Sequence, residues 1–142
     1  CSGVIALAAH SWVEPRCSGA IVGMRRFPDR FVTGLAMHHD APAELFEAWS
    51  NAWVSDAFAT WDVRPLLASI TAPTLVVQGD QDQYATDAQL TETAAAIGAN
   101  ATVMRLAGAG HIIHHEQPAV VAALVAEFYN RIGAIATPTQ ED

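Results

Sequence analysis

The sequence predicts an α/β protein: a partial parallel sheet of about three strands, with flanking helices and a helical insertion. Three observations carry that reading. Residues Val4 to Ala9 and T-L-V-V (Thr74 to Val77) are short, nearly continuous apolar runs rich in Val, Ile and Leu, the pattern of strands buried on both faces. Segments with apolar residues at helical spacing separate these runs from each other and from a third strand, A-T-V-M-R-L (Ala101 to Leu106),. Pro and Gly punctuate the changes of period. Strand, helical insertion, strand, helix, strand, helix is a βαβ series, and such a series folds with right-handed crossovers.

Each element follows from its residues. The chain opens C-S-G-V-I-A-L-A-A-H, so the first strand is expected at once, without a lead-in. A domain starting on a central-type strand, with Cys in place of Met, is expected to be processed, trimmed or part of something larger. Ser11 to Pro15 reads as a loop around Trp12. A helical piece follows at about Cys17 to Arg26, stopped by Phe27-Pro28-Asp29. Residues 43 to 58 read as a helix with Leu45, Phe46, Trp49, Trp53 and Val54 on one face. A short helix from about Val63 to Ile70 carries Leu66, Leu67 and Ile70, and Ala72-Pro73 breaks it before the second strand. Thr86 or Asp87 can cap the next helix, with Gly98 as its left-handed stop after Ile97. After the third strand, Pro118 stands at a first helical position. From there Val120, Val121, Leu124, Val125 and Phe128 form a stripe running to Ile132, which Gly133 is expected to end. One domain over residues 1–134 is therefore expected, with a helical insertion at about 12–62 and a frayed tail over 135–142.

Composition narrows the function classes. The chain has 142 residues, 51% of them apolar, enough for one compact core,. The net charge of −8 argues against a nucleic-acid or anionic-membrane surface,. All seven basic residues are Arg, which fits nucleotide bias better than a functional device. No apolar run approaches the ~20 residues of a membrane span, and the first residues do not resemble a signal peptide. Two cysteines, Cys1 and Cys17, make no disulfide framework, so a cytoplasmic setting is expected.

Chemistry belongs beyond the carboxyl ends of parallel strands, and two of those ends carry reactive loops. One is Gly79-Asp80-Gln81-Asp82-Gln83-Tyr84-Ala85-Thr86. The other is Gly110-His111, inside G-A-G-H-I-I-H-H-E-Q-P, where three of the six histidines crowd together. A carboxylate after one strand and an imidazole after the next can meet above the sheet, the acid fixing the tautomer of a general-base histidine. The competing reading is that Asp80 and Asp82 only shape a turn.

The order strand, G-x-x-D, helix, strand, G-H, helix resembles the C-terminal half of an α/β-hydrolase. "TAPTLVVQGDQD", followed about thirty residues later by "LAGAGHIIHHEQP", is the most specific part of the likeness. "AAHSWVEP" and "EAWSNAWVSDAF" resemble a bacterial branch of that family. The resemblance runs from a sixth sheet strand (Gly3 to Ala9), through a helical cap (about Trp12 to Trp61), to the last helix. It implies Asp82 as triad acid, with Asp80 the competing residue, and His111 as triad base. It also implies His10 at the mouth of the site and acyl transfer to water without a cofactor, although the family also cleaves carbon–carbon bonds, lactones, haloalkanes and epoxides. The Trp-rich insertion, with Trp12 at the substrate site, makes a small ester the expected substrate. The family needs a Ser at a G-x-S-x-G elbow and an oxyanion hole beside it; no G-x-S-x-G occurs in these residues. Two parts of a triad are thus present and the nucleophile is not. A first strand without its family neighbour is expected to pair through its exposed edge, with a second copy as a dimer or with an N-terminal half.

Other readings use the same residues. His111 and His115 have the spacing of a helical zinc pair, and His38-His39-Asp40 can add ligands, but no Glu stands between as in H-E-x-x-H. Cys1 as an N-terminal nucleophile is a further possibility. A non-catalytic, self-associating hydrolase-like module is the last. His114 and His115 are expected to line the loop or cap the final helix. Trp49, Trp53 and Trp61 are expected as aromatics of the insertion, and Trp12 as a wall of an apolar pocket.

Overall fold

The computed structural model describes residues 1–136. Among these, three strands form a parallel sheet in the order β1-β2-β3: β1 is Val4–Leu7, β2 Thr74–Gly79 and β3 Ala101–Leu106. The helices are α1 (Pro15–Met24), α2 (Asp29–Leu35), α3 (Pro42–Trp53), α4 (Arg64–Leu67), α5 (Asp87–Ile97), α6 (Ile113–Glu116) and α7 (Pro118–Ala136). The chain divides into two compact units: Cys1–Ser11 with the chain from Val63 onward, and Trp12–Asp62.

In the sheet unit β2 is central, and all six of its residues are buried. Side chains alternate across it. Leu75 and Val77 face a cluster with Leu106, Ala109, Ile113, Val121, Phe128 and Ile132, mostly from β3 and α7. Val76 faces the opposite cluster with Leu90 and Ile97 of α5, against which Leu67 and Ile70 pack. A helix on each face is what a parallel sheet requires. Burying the leucines and valines of one such strand is worth about 1.5–3 kcal/mol each. At Gly3 a Cβ would stand 2.8 Å from Ile132 Cδ1, so this glycine lets α7 lie close against the start of β1.

The expected burial of β1 on both faces needs correction. All four of its residues are only half-buried, because β1 has one sheet neighbour, β2, in register Val4 with Thr74 through Leu7 with Val77. Beyond β1, Ser11 is buried; its N–H donates to Gln89 Oε1 at 2.9 Å and its hydroxyl meets that of Thr93. These bonds tie the end of β1 to α5, satisfying polar groups that would otherwise be buried without partners.

The helical unit is α1 to α3 and the turns after them. An isolated antiparallel bridge between Trp12 and Asp62 and the Val13 N–H donating to Trp61 O (3.1 Å) bring its two ends together. Inside it Phe31 stacks on Phe46 at 5.6 Å, and Phe58 stacks on Trp61 at 5.2 Å with Trp53 edge-on to both. Here α2 departs from the stop expected at Phe27-Pro28-Asp29: Pro28 adopts helical angles at its N-cap, which a proline tolerates at a helix start. The helix expected over 43 to 58 ends at Trp53, and Leu45 and Trp49 of its apolar face are partly exposed, at 39% and 40%.

Three boundaries in the sheet unit also differ. The helix expected over Val63 to Ile70 is regular only from Arg64 to Leu67, with Leu66 exposed. Gly98 has φ 80° and ψ −141°, outside the left-handed helical well, and the chain continues into a 3-10 turn, Gly98–Asn100,. Gly133 does not end α7, which runs on to Ala136 because glycine lacks nothing a helix needs but conformational bias,. The rest of the expected tail, 137–142, lies outside the described residues.

Candidate active site

The end of β2 and the loop after β3 are locked together at Gly79. A Cβ there would lie 2.1 Å from the Ala109 carbonyl oxygen and 2.3 Å from that of Gly110, contacts only glycine permits. Backbone bonds continue the lock: Asp80 N–H donates to Leu106 O (3.0 Å) and Gln81 N–H to Ala109 O (2.9 Å). The two loops are therefore one rigid assembly before any side chain is considered.

Within it, Asp82 Oδ2 lies 2.9 Å from His111 Nδ1. Asp82 is buried, with its side chain 1% exposed, whereas the His111 side chain is 23% exposed. The other carboxylate oxygen, Oδ1, accepts the N–H groups of Tyr84 (2.8 Å) and Ala85 (3.2 Å). Burial pushes the Asp82 carboxyl up. The His111 hydrogen bond, the Tyr84 N–H, the charge of His111 and the Ala85 N–H together outweigh burial and hold the carboxyl below the ordinary range,. An ionised carboxylate only accepts, so Nδ1–H of His111 donates to it. In neutral His111 the lone pair is then left on Nε2.

Asp80 has a different task. Its Oδ1 accepts the Gly108 N–H at 2.8 Å, pinning the loop where Gly108 takes φ 70°. The carboxylate that meets the imidazole is therefore Asp82. Tyr84 stands edge-on to the His111 ring with centroids 4.9 Å apart, and the His10 ring is tilted to it at 5.8 Å. His10 follows a sharp turn in which Ala8, buried, has φ 48°, a conformation non-glycine residues rarely adopt,. The structure thus brings Asp82, His111 and His10 together. Trp12 belongs to the helical unit, half-buried beside its bridge to Asp62.

The histidine run is more ordered than the sequence suggested. Helix formation was expected only from Pro118, yet Ile113–Glu116 forms α6, so His114 and His115 are exposed helical residues with rings 4.5 Å apart. The driving force is Ile113, fully buried in the core cluster. Two residues without an assigned role take part in the site. Glu116 accepts the N–H groups of Gly110 and Ile112, and Gln117 Nε2 donates to Ala107 O at 2.9 Å. Their only signal in the sequence was a carboxylate and an amide placed between the histidine run and Pro118. Among the described residues no three His, Cys, Asp or Glu side chains gather where they can hold a metal ion. Nor is any helix among them long and apolar enough to cross a membrane.

A model of the alpha/beta hydrolase family matches residues 3–124, most of the chain. The chain belongs to the α/β-hydrolase family. Its three parallel strands and flanking helices are part of that family's fold. The solved structures it is similar to include NosK from Streptomyces actuosus, at 19% identity and TM-score 0.70, with 93% of this chain and 59% of that one covered. A thermophilic esterase from Thermogutta terrifontis aligns at 18% identity and TM-score 0.57, covering 92% and 56%. CarC, a serine hydrolase involved in carbazole degradation, aligns at 15% identity and TM-score 0.66, covering 91% and 54%. At these identities the likeness is one of fold. The chain spans 54% to 59% of the length of these structures. No curated protein matches the sequence.

Proposed function

We propose that this chain carries the acid and base of a serine hydrolase of the carboxylesterase type, with Asp82 and His111 in those roles. One observation carries the reading: a buried, ionised carboxylate 2.9 Å from Nδ1 of a half-exposed imidazole, at the carboxyl ends of adjacent parallel strands,. With Nδ1–H engaged, His111 Nε2 accepts the proton of an attacking Ser and later gives it to the leaving alcohol. Asp82 holds the ring in that tautomer and stabilises the imidazolium formed in between. The Ser comes from a G-x-S-x-G elbow that these residues do not contain, so the chain is inactive until that half joins it. The substrate is a small ester with an apolar acyl or aromatic part, bordered by His10, and the setting is the bacterial cytoplasm. No cofactor enters the reaction.

The open side of β1 supplies the partner. A strand with one neighbour presents a row of backbone donors and acceptors to another strand, and here it takes either the nucleophile half or a second copy. If the sequence upstream of Cys1 encodes G-x-S-x-G, the complete protein should hydrolyse a chromogenic short-chain ester. Substituting His111→Ala in it should lower kcat by about a thousandfold or more. Full activity in that variant removes His111 from the mechanism.

The same open edge favours a second reading, a non-catalytic module that associates with itself. An inert complete protein would select it. A strictly monomeric chain at micromolar concentration by light scattering would instead sink pairing through β1.

A further inference from the structure

We infer that Glu116 is a positioning residue for His111: its carboxylate brackets the histidine by accepting the backbone N–H on either side of it. Oε2 accepts the Gly110 N–H at 2.6 Å and Oε1 accepts the Ile112 N–H at 3.1 Å. These are the backbone amides of the residues immediately before and after His111. Both are charge-assisted bonds, a class stronger than those between neutral groups, and the one to Gly110 is short,.

Two features show that the bracket is built into the loop. Gly110 leaves it room: a Cβ there would lie 3.0 Å and 3.2 Å from the Glu116 oxygens and 3.2 Å from Gln83 Oε1. Glu116 itself stands on α6, which is anchored by the fully buried Ile113. On the other side, the Gly110 and Ala109 carbonyls are closed against Gly79. His111 is therefore flanked by two anchored amides, with Asp82 gripping its ring from a third direction.

The geometry also resembles a capping box, in which a Glu side chain turns back to an N-cap N–H. Capping alone would use the Ile112 N–H, since Ile112 is the N-cap of α6. The second and shorter bond reaches beyond the cap to Gly110 and serves the histidine. Releasing it frees the backbone torsions at His111 and makes the Nδ1–H bond to Asp82 intermittent. An intermittent bond lets the imidazole sample the tautomer with its proton on Nε2, which cannot act as the base.

This inference rests on reading His111 as the base, but its test does not need activity. NMR of the imidazole nitrogens in the full chain at neutral pH reads the tautomer ratio of His111. The unaltered chain is expected in the Nδ1–H form. Glu116→Ala should raise the share of the other tautomer by about tenfold. Glu116→Gln has a single acceptor oxygen and should give a smaller rise. Gln117→Ala, which removes only the bond to Ala107 O, should leave the ratio unchanged, because it loosens the same loop without touching the bracket. Asp82→Ala should shift the ratio most.

Backbone amide spectra establish that each variant is folded, and if Glu116→Ala is not, Glu116→Gln decides alone. An unchanged ratio in a folded Glu116→Gln overturns the inference, and so does an equal shift in Gln117→Ala. A ratio indifferent to Asp82→Ala, or an inert complete protein, instead overturns the catalytic reading. In an active complete protein, Glu116→Gln should lower kcat and leave KM unchanged.

Discussion

The two strand-end loops and the helical unit Trp12–Asp62 are held together by different means. In the loops, side chains bind backbone: Asp82 takes two N–H groups, Asp80 one, Glu116 two, and Gln117 a carbonyl. In the helical unit, rings bind rings, through the Phe31–Phe46 stack and the cluster of Trp53, Phe58 and Trp61. None of α1, α2 and α3 has a side-chain N-cap bond, whereas Thr86 caps α5 at 3.2 Å. Directional bonds fix a geometry to tenths of an ångström, which a proton relay requires. Dispersion between aromatic faces is non-directional enough to survive repacking. Precision is concentrated around Asp82 and His111, where the proposed mechanism moves a proton.

The largest test of this contrast is Gly79→Ala. The added Cβ would meet two backbone carbonyls that cannot swing aside, so a loss of about 3 kcal/mol or more is expected in urea denaturation. A loss under about 1 kcal/mol would show that the two loops are not one rigid assembly.

Next comes Ser11→Ala, which takes the hydroxyl partner from the buried Thr93. The expected cost is about 1–2 kcal/mol in the same measurement. A neutral result would show that the polar tie behind β1 is dispensable.

Acid should act on the loops first. The Asp82 carboxyl is depressed in the folded chain, so the folded state binds that proton less readily than the unfolded state does. Its stabilising contribution is therefore complete above the unfolded value of 3.8 and is lost as pH falls through the lower folded value,. Measured denaturation midpoints should fall more gently between about pH 5 and pH 3 in Asp82→Asn than in the unaltered chain. Parallel curves would contradict the assignment of a depressed carboxyl.

The smallest effect belongs to the helical unit. Met37 is 78% exposed, and Met37→Ser should change stability by no more than about 0.5 kcal/mol. A larger loss would mean that this surface is covered in solution.

Much of the site was legible because parallel strands make their ends predictable. Val76 and Val77 run into Gly79 and Asp82, Met104 and Leu106 run into Gly110 and His111, and adjacent parallel strands place those ends side by side. What stayed hidden depended on atoms distant in sequence. The residues alone leave Asp80 and Asp82 as rivals, and the family likeness favours Asp82. The turn supplies the physical reason, giving Asp82 to His111 and Asp80 to the Gly108 N–H. Glu116 looked like any acidic residue ahead of a helix until the loop folded back over it. Pro28 read as a stop, although the same ring opens α2.

The sequence by itself determined the layered α/β arrangement, the three parallel strands and the family, since these follow from the period of apolar residues and from local motifs. Tertiary structure alone decided the half-burial of β1, the split of tasks between Asp80 and Asp82, and the bracket around His111. The first depends on which strands lie side by side, and the other two on which side chain the folded loops bring to which backbone group. Hydrogen-bond geometry of that kind is set by the closed fold, at distances no spacing in the chain encodes.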